Sequence, residues 1–281
     1  MCELLGISVH PPATMDVYFK AFRSRAVENQ SGWGVGWYEG QVAHVIKEPA
    51  RADHSETATA LIDTPPSSDL FLIHVRYATV GRVSVANTHP FLARLGDQEW
   101  IFEHNGTVED IDGLSTGIFR VEGDTDSEVA FYYLLTRLGH LPEGAGDTEA
   151  ASEVHEVARE LSRRGQSNFL LSDGRTLYAY YDGHRTLHYV ERHASYGKVR
   201  IADDEDYTVD LEIPFDPDER AVIVASLPLT KERWTSLRPG ELLICRDGAV
   251  VDVLPPEGPP LDGPRPGSAE AAGRTSAGAR D

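Results

Sequence analysis

The second residue of the chain is the first candidate for chemistry. Cys2 directly follows Met1, and a small second residue allows the initiator methionine to be removed, which leaves a cysteine with a free α-amino group. An α-amine has an ordinary pKa of about 7.7 to 8.0 and a thiol one of about 8.5, so the amine is able to accept the thiol proton near neutral pH. Cys2 therefore combines a nucleophile with its base. The alternative is a small buried cysteine at the start of a strand.

A second candidate is the pair Asn105 and Gly106 in the string IFEHNGTV. The side-chain amide of an asparagine and the N–H of the next glycine together supply the two donors of an oxyanion hole, and glycine leaves room for a substrate. The same pair between two apolar segments is also a strong signal for a hairpin turn. The two interpretations are compatible with the sequence.

Two charged residues are of the types that hold an amino acid. Arg76 ends an apolar strand before a loop of small residues, and its planar guanidinium suits a carboxylate. Asp126 lies in the string GDTDSEV, where its carboxylate could hold an ammonium group. The alternatives are an ion pair at a strand edge for Arg76 and a helix cap for Asp126.

Together and in this order, these features resemble the class II glutamine amidotransferases. The similarity covers roughly residues 2 to 253 and is closest to the stand-alone YafJ-like branch; it rests on MCELLG, GWGVGWYEG, RYATVGRVSVANTHPF, HNG, GDTDSE and VIVASLPLTKERWTSLRPGE. The resemblance implies an α+β fold, the four-layer αββα sandwich of the N-terminal-nucleophile hydrolases. It makes Cys2 the nucleophile and Asn105 with Gly106 the oxyanion hole.

The resemblance also implies how the substrate is held. Arg76 matches the ligand of the glutamine α-carboxylate and Asp126 the ligand of its α-ammonium group. Thr79 and His89 match positions in the loop that covers glutamine and in its support. The expected substrate is glutamine or a γ-glutamyl amide, which Cys2 cleaves through a γ-glutamyl thioester.

These residues must be positioned by strands and helices that the hydrophobic pattern predicts. Leu4 to Val9 predicts a buried strand that ends at Pro11 and Pro12, and GWGVGWYEG starts a hairpin. Helices are predicted near residues 15–27, 54–63, 126–138 and 148–164, the third opened by a capping box of Thr125 and Glu128. Another strand spans 70–78, and short strands follow residue 168, with turns at 172–175, 181–184 and 246–249.

Composition limits the partners. The 281 residues include 26 basic and 45 acidic side chains, which gives a net charge of −19, and such a charge repels nucleic acid and anionic membranes. Two cysteines and a start without a basic signal region predict a cytoplasmic protein. We expect no cofactor and no metal, because the histidines at 184, 188 and 193 lie in strand-like sequence without companion cysteines.

The end of the chain predicts the domain organisation. Residues 254–281 are dominated by Pro, Gly, Ala and Ser, a composition typical of disorder, which leaves one amidotransferase domain at 2–253. Any site that accepts ammonia is then expected on another protein, such as a separate synthase subunit. Two other functions stay open: a hydrolase specific for γ-glutamyl conjugates of a thiol metabolite, as in ergothioneine or glutathione pathways, and a protein that senses glutamine without turnover.

Overall fold

A computed structural model describes residues 2–23, 30–77, 81–194, 198–200, 208–210 and 218–256. The strands in chain order are β1 Glu3–Thr14, β2 Gly32–Glu39, β3 Val42–Glu48, β4 Ser67–Arg76, β5 Phe91–Leu95, β6 Gln98–Val108, β7 Gly165–Ser172, β8 Thr176–Tyr181, β9 His188–His193, β10 Lys198–Arg200, β11 Thr208–Asp210, β12 Arg220–Ala225, β13 Thr235–Ser236, β14 Glu241–Arg246 and β15 Ala249–Leu254. The helices are α1 Asp16–Arg23, α2 Glu56–Asp63, α3 Asp126–Leu138 and α4 Asp147–Arg163.

Two antiparallel sheets are stacked face to face. One has seven strands in the order β13-β9-β12-β1-β4-β2-β3, and the other has six in the order β15-β14-β8-β7-β6-β5. Leu4, Leu72, Ile101 and Leu170 belong to the apolar layer between the sheets. A second core lies between the seven-stranded sheet and α1 with α2, and a third between the six-stranded sheet and α3 with α4. The expected αββα sandwich is confirmed.

The strand that begins next to Cys2 lies in the middle of its sheet. β1 pairs with β12 at one edge and with β4 at the other. Its two faces are covered by the other sheet and by α1 with α2, which explains its unbroken apolar run. The prediction that Pro11 and Pro12 end this strand is wrong. β1 continues to Thr14, and the two prolines lie where its register against β4 shifts between Ser8 and Ala13. An irregular stretch of strand tolerates proline because it lacks regular ladder hydrogen bonds.

The Asn105-Gly106 pair is not a turn. β6 runs through both residues and pairs with β7, with Asn105 opposite Asn168 and Gly106 opposite Ser167. A Cβ atom at residue 106 would stand 2.0 Å from the backbone oxygen of Gln166. Glycine is thus needed at this position for close strand packing, and the hairpin interpretation is wrong.

The helices follow the predicted pattern with local differences. α3 spans the predicted residues, and the Thr125 hydroxyl accepts a hydrogen bond from the Glu128 N–H. The Glu128 carboxylate accepts from the N–H groups of Glu122 and Gly123, so the described residues form one half of the predicted capping box. The predicted helices at 15–27, 54–63 and 148–164 are observed as α1, α2 and α4, and residues 24–29 lie outside the described part.

The predicted turns in the second half of the chain differ in outcome. Residues 173–175 connect β7 to β8, and Asp247 with Gly248 connects β14 to β15 with φ angles of 49° and 70°. The expected turn at 181–184 is instead the start of a crossing between the sheets, because β8 belongs to the six-stranded sheet and β9 to the seven-stranded one. The predicted tail lies largely outside the described residues, which end at Pro256.

Candidate active site

The site is built around Cys2, which immediately precedes β1. Glu3 is paired with Val75 of β4, so the antiparallel register brings Cys2 next to the end of β4. The Cys2 Sγ accepts a hydrogen bond from the Tyr77 N–H at 3.1 Å and donates to the Tyr77 carbonyl at 3.2 Å. The side chain of Cys2 is thereby held against the backbone at the start of the loop that follows β4.

The electrostatic surroundings keep the thiol protonated at rest. Burial raises the pKa of the Cys2 thiol, and the hydrogen bond with the Tyr77 backbone and the positive charges of Arg185 and Arg76 oppose this rise. A thiolate is the reactive form of cysteine. A role of Cys2 as a nucleophile would therefore require a base that takes the thiol proton.

Asn105 reaches Cys2 from the opposite sheet. Side chains alternate along a strand, and Ile101 of β6 belongs to the layer between the sheets, so Glu103 and Asn105 face the same way. The Asn105 Nδ2 donates to the Cys2 carbonyl oxygen at 2.6 Å. An asparagine amide carries two N–H donors, and this contact leaves one of them for a second acceptor beside the nucleophile.

Arg76 and Asp126 lie on the side of Cys2 that faces β4 and α3. Arg76 is the last residue of β4 and is buried, and its Nη1 donates to the Arg82 carbonyl at 3.4 Å. Burial lowers the pKa of Arg76, while the nearby charges of Cys2, Asp124 and Asp126 raise it. One guanidinium thus lies in the electrostatic field of the nucleophile and of two carboxylates.

Asp126 is not the cap of α3. The cap is Thr125, and Asp126 is the first residue of the helix, so the capping interpretation is wrong. One oxygen of the buried Asp126 carboxylate accepts a hydrogen bond from the Val108 N–H at 2.7 Å. This bond connects α3 to the end of β6, two residues after Gly106.

Residues 81–90, which we call the covering loop, are fastened to the turn before α3. Asp124 accepts hydrogen bonds from the Arg82 N–H at 3.1 Å, from Arg82 Nε at 3.0 Å and from Asn87 Nδ2. The Asp124 N–H donates to Asn87 Oδ1 at 2.9 Å. Thr79, the other residue expected in this region, lies outside the described part of the chain.

His89 forms the base of the covering loop. Its buried ring lies 4.4 Å from the ring of His74 and 4.6 Å from that of Phe91, measured between centroids. The His89 backbone passes so close to β2 that a Cβ atom at Gly34 would be 2.3 Å from the His89 oxygen. Lys47 Nζ donates to the carbonyls of Thr88 and Pro90 at 2.7 and 3.1 Å. The residue is thus packed between β2, His74 and Phe91 at the end of the loop.

Two charged residues near Cys2 were not singled out from the sequence. Glu103 is buried and its Oε1 accepts from the Leu5 N–H at 3.2 Å, and burial raises its pKa well above the ordinary value. Its place between Ile101 and Asn105 on the inward face of β6 was readable from strand alternation. Arg185 lies between β8 and β9, and no local pattern in the sequence connects it to Cys2.

Two other kinds of site are absent from the part of the chain that the structure describes. Among its residues, no group of three or more His, Cys, Asp or Glu side chains is arranged to hold a metal ion. Within the same part of the chain, every helix is too short or too polar to cross a membrane.

Comparison with known proteins gives a consistent result. The family model for class-II glutamine amidotransferases matches residues 1–264. YafJ of Escherichia coli K12 is 35% identical over 258 residues, which cover 89% of this chain and 100% of YafJ. The 2.0 Å crystal structure of a predicted glutamine amidotransferase from Pseudomonas aeruginosa PA01 superposes with a TM-score of 0.69 and 30% identity, over 89% of this chain and 100% of that one.

A more distant similarity involves a named hydrolase. The gamma-glutamyl-hercynylcysteine sulfoxide hydrolase of Mycobacterium tuberculosis is 31% identical over 122 residues, or 39% of this chain and 50% of that protein. The match of the family model extends over most of the chain and includes every strand and helix described above. The chain belongs to the class II glutamine amidotransferases.

Proposed function

We propose that the protein hydrolyses the γ-amide of glutamine or of a γ-glutamyl compound, with Cys2 as its N-terminal nucleophile. The observation that carries this proposal is the contact of 2.6 Å between the Asn105 amide and the Cys2 backbone, which puts a second N–H donor next to the attacking sulfur. Tyr77 holds that sulfur from the other side. A nucleophile and an oxyanion donor are the minimum for acyl transfer from an amide.

The chemical steps follow from this arrangement. After removal of Met1, the α-amine of Cys2 takes the thiol proton as Sγ attacks the amide carbon, and the oxyanion is stabilised by Asn105 and the N–H of Gly106. The amine passes the proton to the leaving nitrogen, and the C–N bond breaks to give ammonia or an amine and a γ-glutamyl thioester. The amine then activates a water that releases glutamate and restores the thiol.

Recognition of the glutamyl half is assigned to Arg76 and Asp126. Arg76 lies within electrostatic reach of Cys2 and of Asp126, and this pair of charges matches a substrate that carries a carboxylate and an ammonium group on one carbon. Asp126 uses one oxygen for the Val108 N–H, and a carboxylate has capacity for further donors. Thr79 and His89 are assigned to the loop that covers this half and to its support.

The test is turnover and labelling of the purified protein. We expect glutamate release from glutamine and a single adduct of 6-diazo-5-oxo-norleucine on a chain that begins at Cys2, measured by intact mass. Cys2→Ala should abolish both. Cys245→Ala is the matched control, because Cys245 is buried in β14 and burial raises the pKa of its thiol, so activity should persist.

The possible results separate the related functions. An active preparation that retains Met1 would contradict the shared nucleophile and base. Glutamine that binds without release of glutamate would instead favour a sensor. Faster turnover of γ-glutamyl amides of larger amines than of glutamine would favour a hydrolase of conjugates, the second candidate that the similarity to the mycobacterial hydrolase supports. Release of ammonia from glutamine would be consistent with a soluble cytoplasmic protein that supplies ammonia to a separate synthase subunit.

A further inference from the structure

Residues at both edges of β1 lie close to Cys2. On the β4 edge lies Arg76 at the end of that strand, and on the β12 edge lies Ser226, the first residue after that strand. Ser226 is bonded to Leu4 in both directions: its N–H donates to the Leu4 carbonyl, and its Oγ accepts from the Leu4 N–H, each at 3.0 Å. The second edge is thereby fixed two residues from the nucleophile.

The segment 182–187, which crosses from one sheet to the other, is fastened at both ends beside the site. At one end the Asp182 N–H donates to Asn168 Oδ1 at 2.9 Å, and Asn168 is the strand partner of Asn105. At the other end Thr186 Oγ1 donates to the Ser226 carbonyl at 2.6 Å. The crossing segment therefore bridges the strand that carries the oxyanion donor and the edge of the strand that follows Cys2.

Arg185 is the cation of this segment. Its side chain is half-buried, and its charge is one of the two arginine charges that act on the Cys2 thiol. No described carboxylate pairs with Arg185, in a protein whose net charge is −19. A half-buried arginine beside a nucleophile, without an acidic neighbour among the described residues, is suited to an anionic group of a ligand.

An exposed apolar residue lies next to the crossing segment. Leu227 follows Ser226 directly, and 45% of its surface is exposed. Because Ser226 is bonded both to Leu4 and to Thr186, Leu227 is placed at the same edge of β1 as the crossing segment. An exposed leucine and an unpaired arginine together suit a group that has both an aliphatic body and a negative charge.

We propose that Arg185 and Leu227 form the subsite for the amine half of the substrate, and that this amine is an α-amino acid with an apolar side chain. This inference rests on the proposed function: with the glutamyl half at Arg76 and Asp126, the scissile bond over Cys2 directs the leaving amine toward the opposite edge of β1. Arg185 binds the carboxylate of that amine, and Leu227 contacts its side chain. The preferred reaction is hydrolysis of a γ-glutamyl dipeptide to glutamate and a free amino acid.

The experiment compares two substrates that differ only in the carboxylate. They are γ-glutamyl-leucine and the γ-glutamyl amide of 3-methylbutylamine, the amine that leucine gives on loss of its carboxylate. We expect the wild-type protein to favour the dipeptide by about ten- to a hundredfold in kcat/KM, the range for one hydrogen bond to a charged group. Arg185→Gln should remove this preference, because kcat/KM falls further for the dipeptide than for the simple amide, and Arg185→Lys should restore part of it.

A matched control distinguishes a local contact from a change in net charge. Arg94 on β5 is exposed and paired with Asp97, so Arg94→Gln removes the same charge away from the site and should keep the preference for the dipeptide. An equal loss for both substrates in Arg185→Gln would place the role of Arg185 at Cys2 or at the glutamyl half and overturn the proposal. So would a wild-type enzyme that hydrolyses both substrates equally well, or that hydrolyses glutamine but not the dipeptide, and these last results leave the proposed function intact.

Discussion

Two buried histidines under the covering loop should make the protein sensitive to acid. The rings of His74 and His89 pack against each other, and none of their four ring nitrogens has a hydrogen-bond partner among the described residues. Burial, followed by the charges of Arg76 and His104, lowers the pKa of His74 to about 3. Burial also lowers the pKa of His89 well below its ordinary value. Both rings are therefore neutral in the folded protein.

The sign and size of the effect follow from proton linkage. Below pH 6.5 a histidine in the unfolded chain binds a proton, whereas the buried ring of the folded protein stays neutral. The stability contributed by the neutral ring is therefore fully present above pH 6.5 and is lost as the pH falls. With a folded pKa of about 3 for His74, the loss between pH 7.5 and pH 5 is about 2 kcal/mol. His89 acts in the same direction, and the contribution of His74 alone is a sizeable part of a typical stability of about 5 to 15 kcal/mol.

Glu103 acts in the opposite direction. Burial raises its pKa, so its contribution is present at low pH and is lost as the pH rises through the folded value. The pH dependence of the unfolding free energy of the wild-type protein therefore combines the effect of the histidines with that of Glu103. A comparison between the wild-type protein and His74→Leu removes the contribution of Glu103, since both proteins contain it.

The assay is urea unfolding at pH 7.5 and at pH 5. We expect the wild-type protein to lose about 2 kcal/mol more stability on acidification than His74→Leu. His140→Leu is the control, because an exposed ring stays hydrated in the folded protein, and it should respond to acid as the wild type does. Equal losses in the wild type and His74→Leu would refute the neutral buried ring and would indicate that a partner stabilises its charge.

Two further predictions concern the catalytic contacts. Asn105→Ala should lower kcat by about 10²- to 10³-fold while iodoacetamide still alkylates Cys2, and a near-normal kcat would reduce Asn105 to a structural contact of the Cys2 backbone. Asp126→Asn keeps an oxygen for the Val108 N–H but removes the charge, so kcat/KM for glutamine should fall about ten- to a hundredfold with little change in melting temperature; a lowered melting temperature with unaltered kinetics would defeat the substrate role.

The sequence predicted best where the signals are local. α3 spans the predicted residues because Thr125 caps its first turn and Gly139 follows its last one. Local signals failed where another strand decides the outcome. An Asn-Gly pair favours a turn in isolation. Here β7 pairs with the residues of β6 before and after Asn105 and Gly106, and this pairing keeps β6 extended. The run of Pro11 and Pro12 favours a break, yet the pairing of Ala13 and Thr14 with β4 continues the strand beyond it.

The same distinction applies to the site. Cys2, Asn105 and Arg76 became candidates from the sequence because each lies in a short string whose chemistry is specific in combination, and the structure places Asn105 and Arg76 near Cys2. Glu103 was accessible in principle, since it shares the inward face of β6 with Asn105. Arg185 was not, because its position beside Cys2 results from a crossing between two sheets and from one hydrogen bond to the residue that follows β12.

The central position of β1 divides recognition in two. A strand with neighbours on both sides presents its first residue between two edges, and here each edge supplies one arginine: Arg76 from β4 and Arg185 from the segment fixed to Ser226. In the proposed arrangement Arg76 binds the α-carboxylate that all glutamyl substrates share, and Arg185 binds the carboxylate of the amine, which differs among them. Substitutions in the crossing segment should then change the choice of amine without displacing Cys2 or Asn105, because the hydrogen bonds that hold those two residues come from Tyr77 and from each other. The choice of the leaving amine is thus separate from the contacts that hold Cys2 and Asn105 in place.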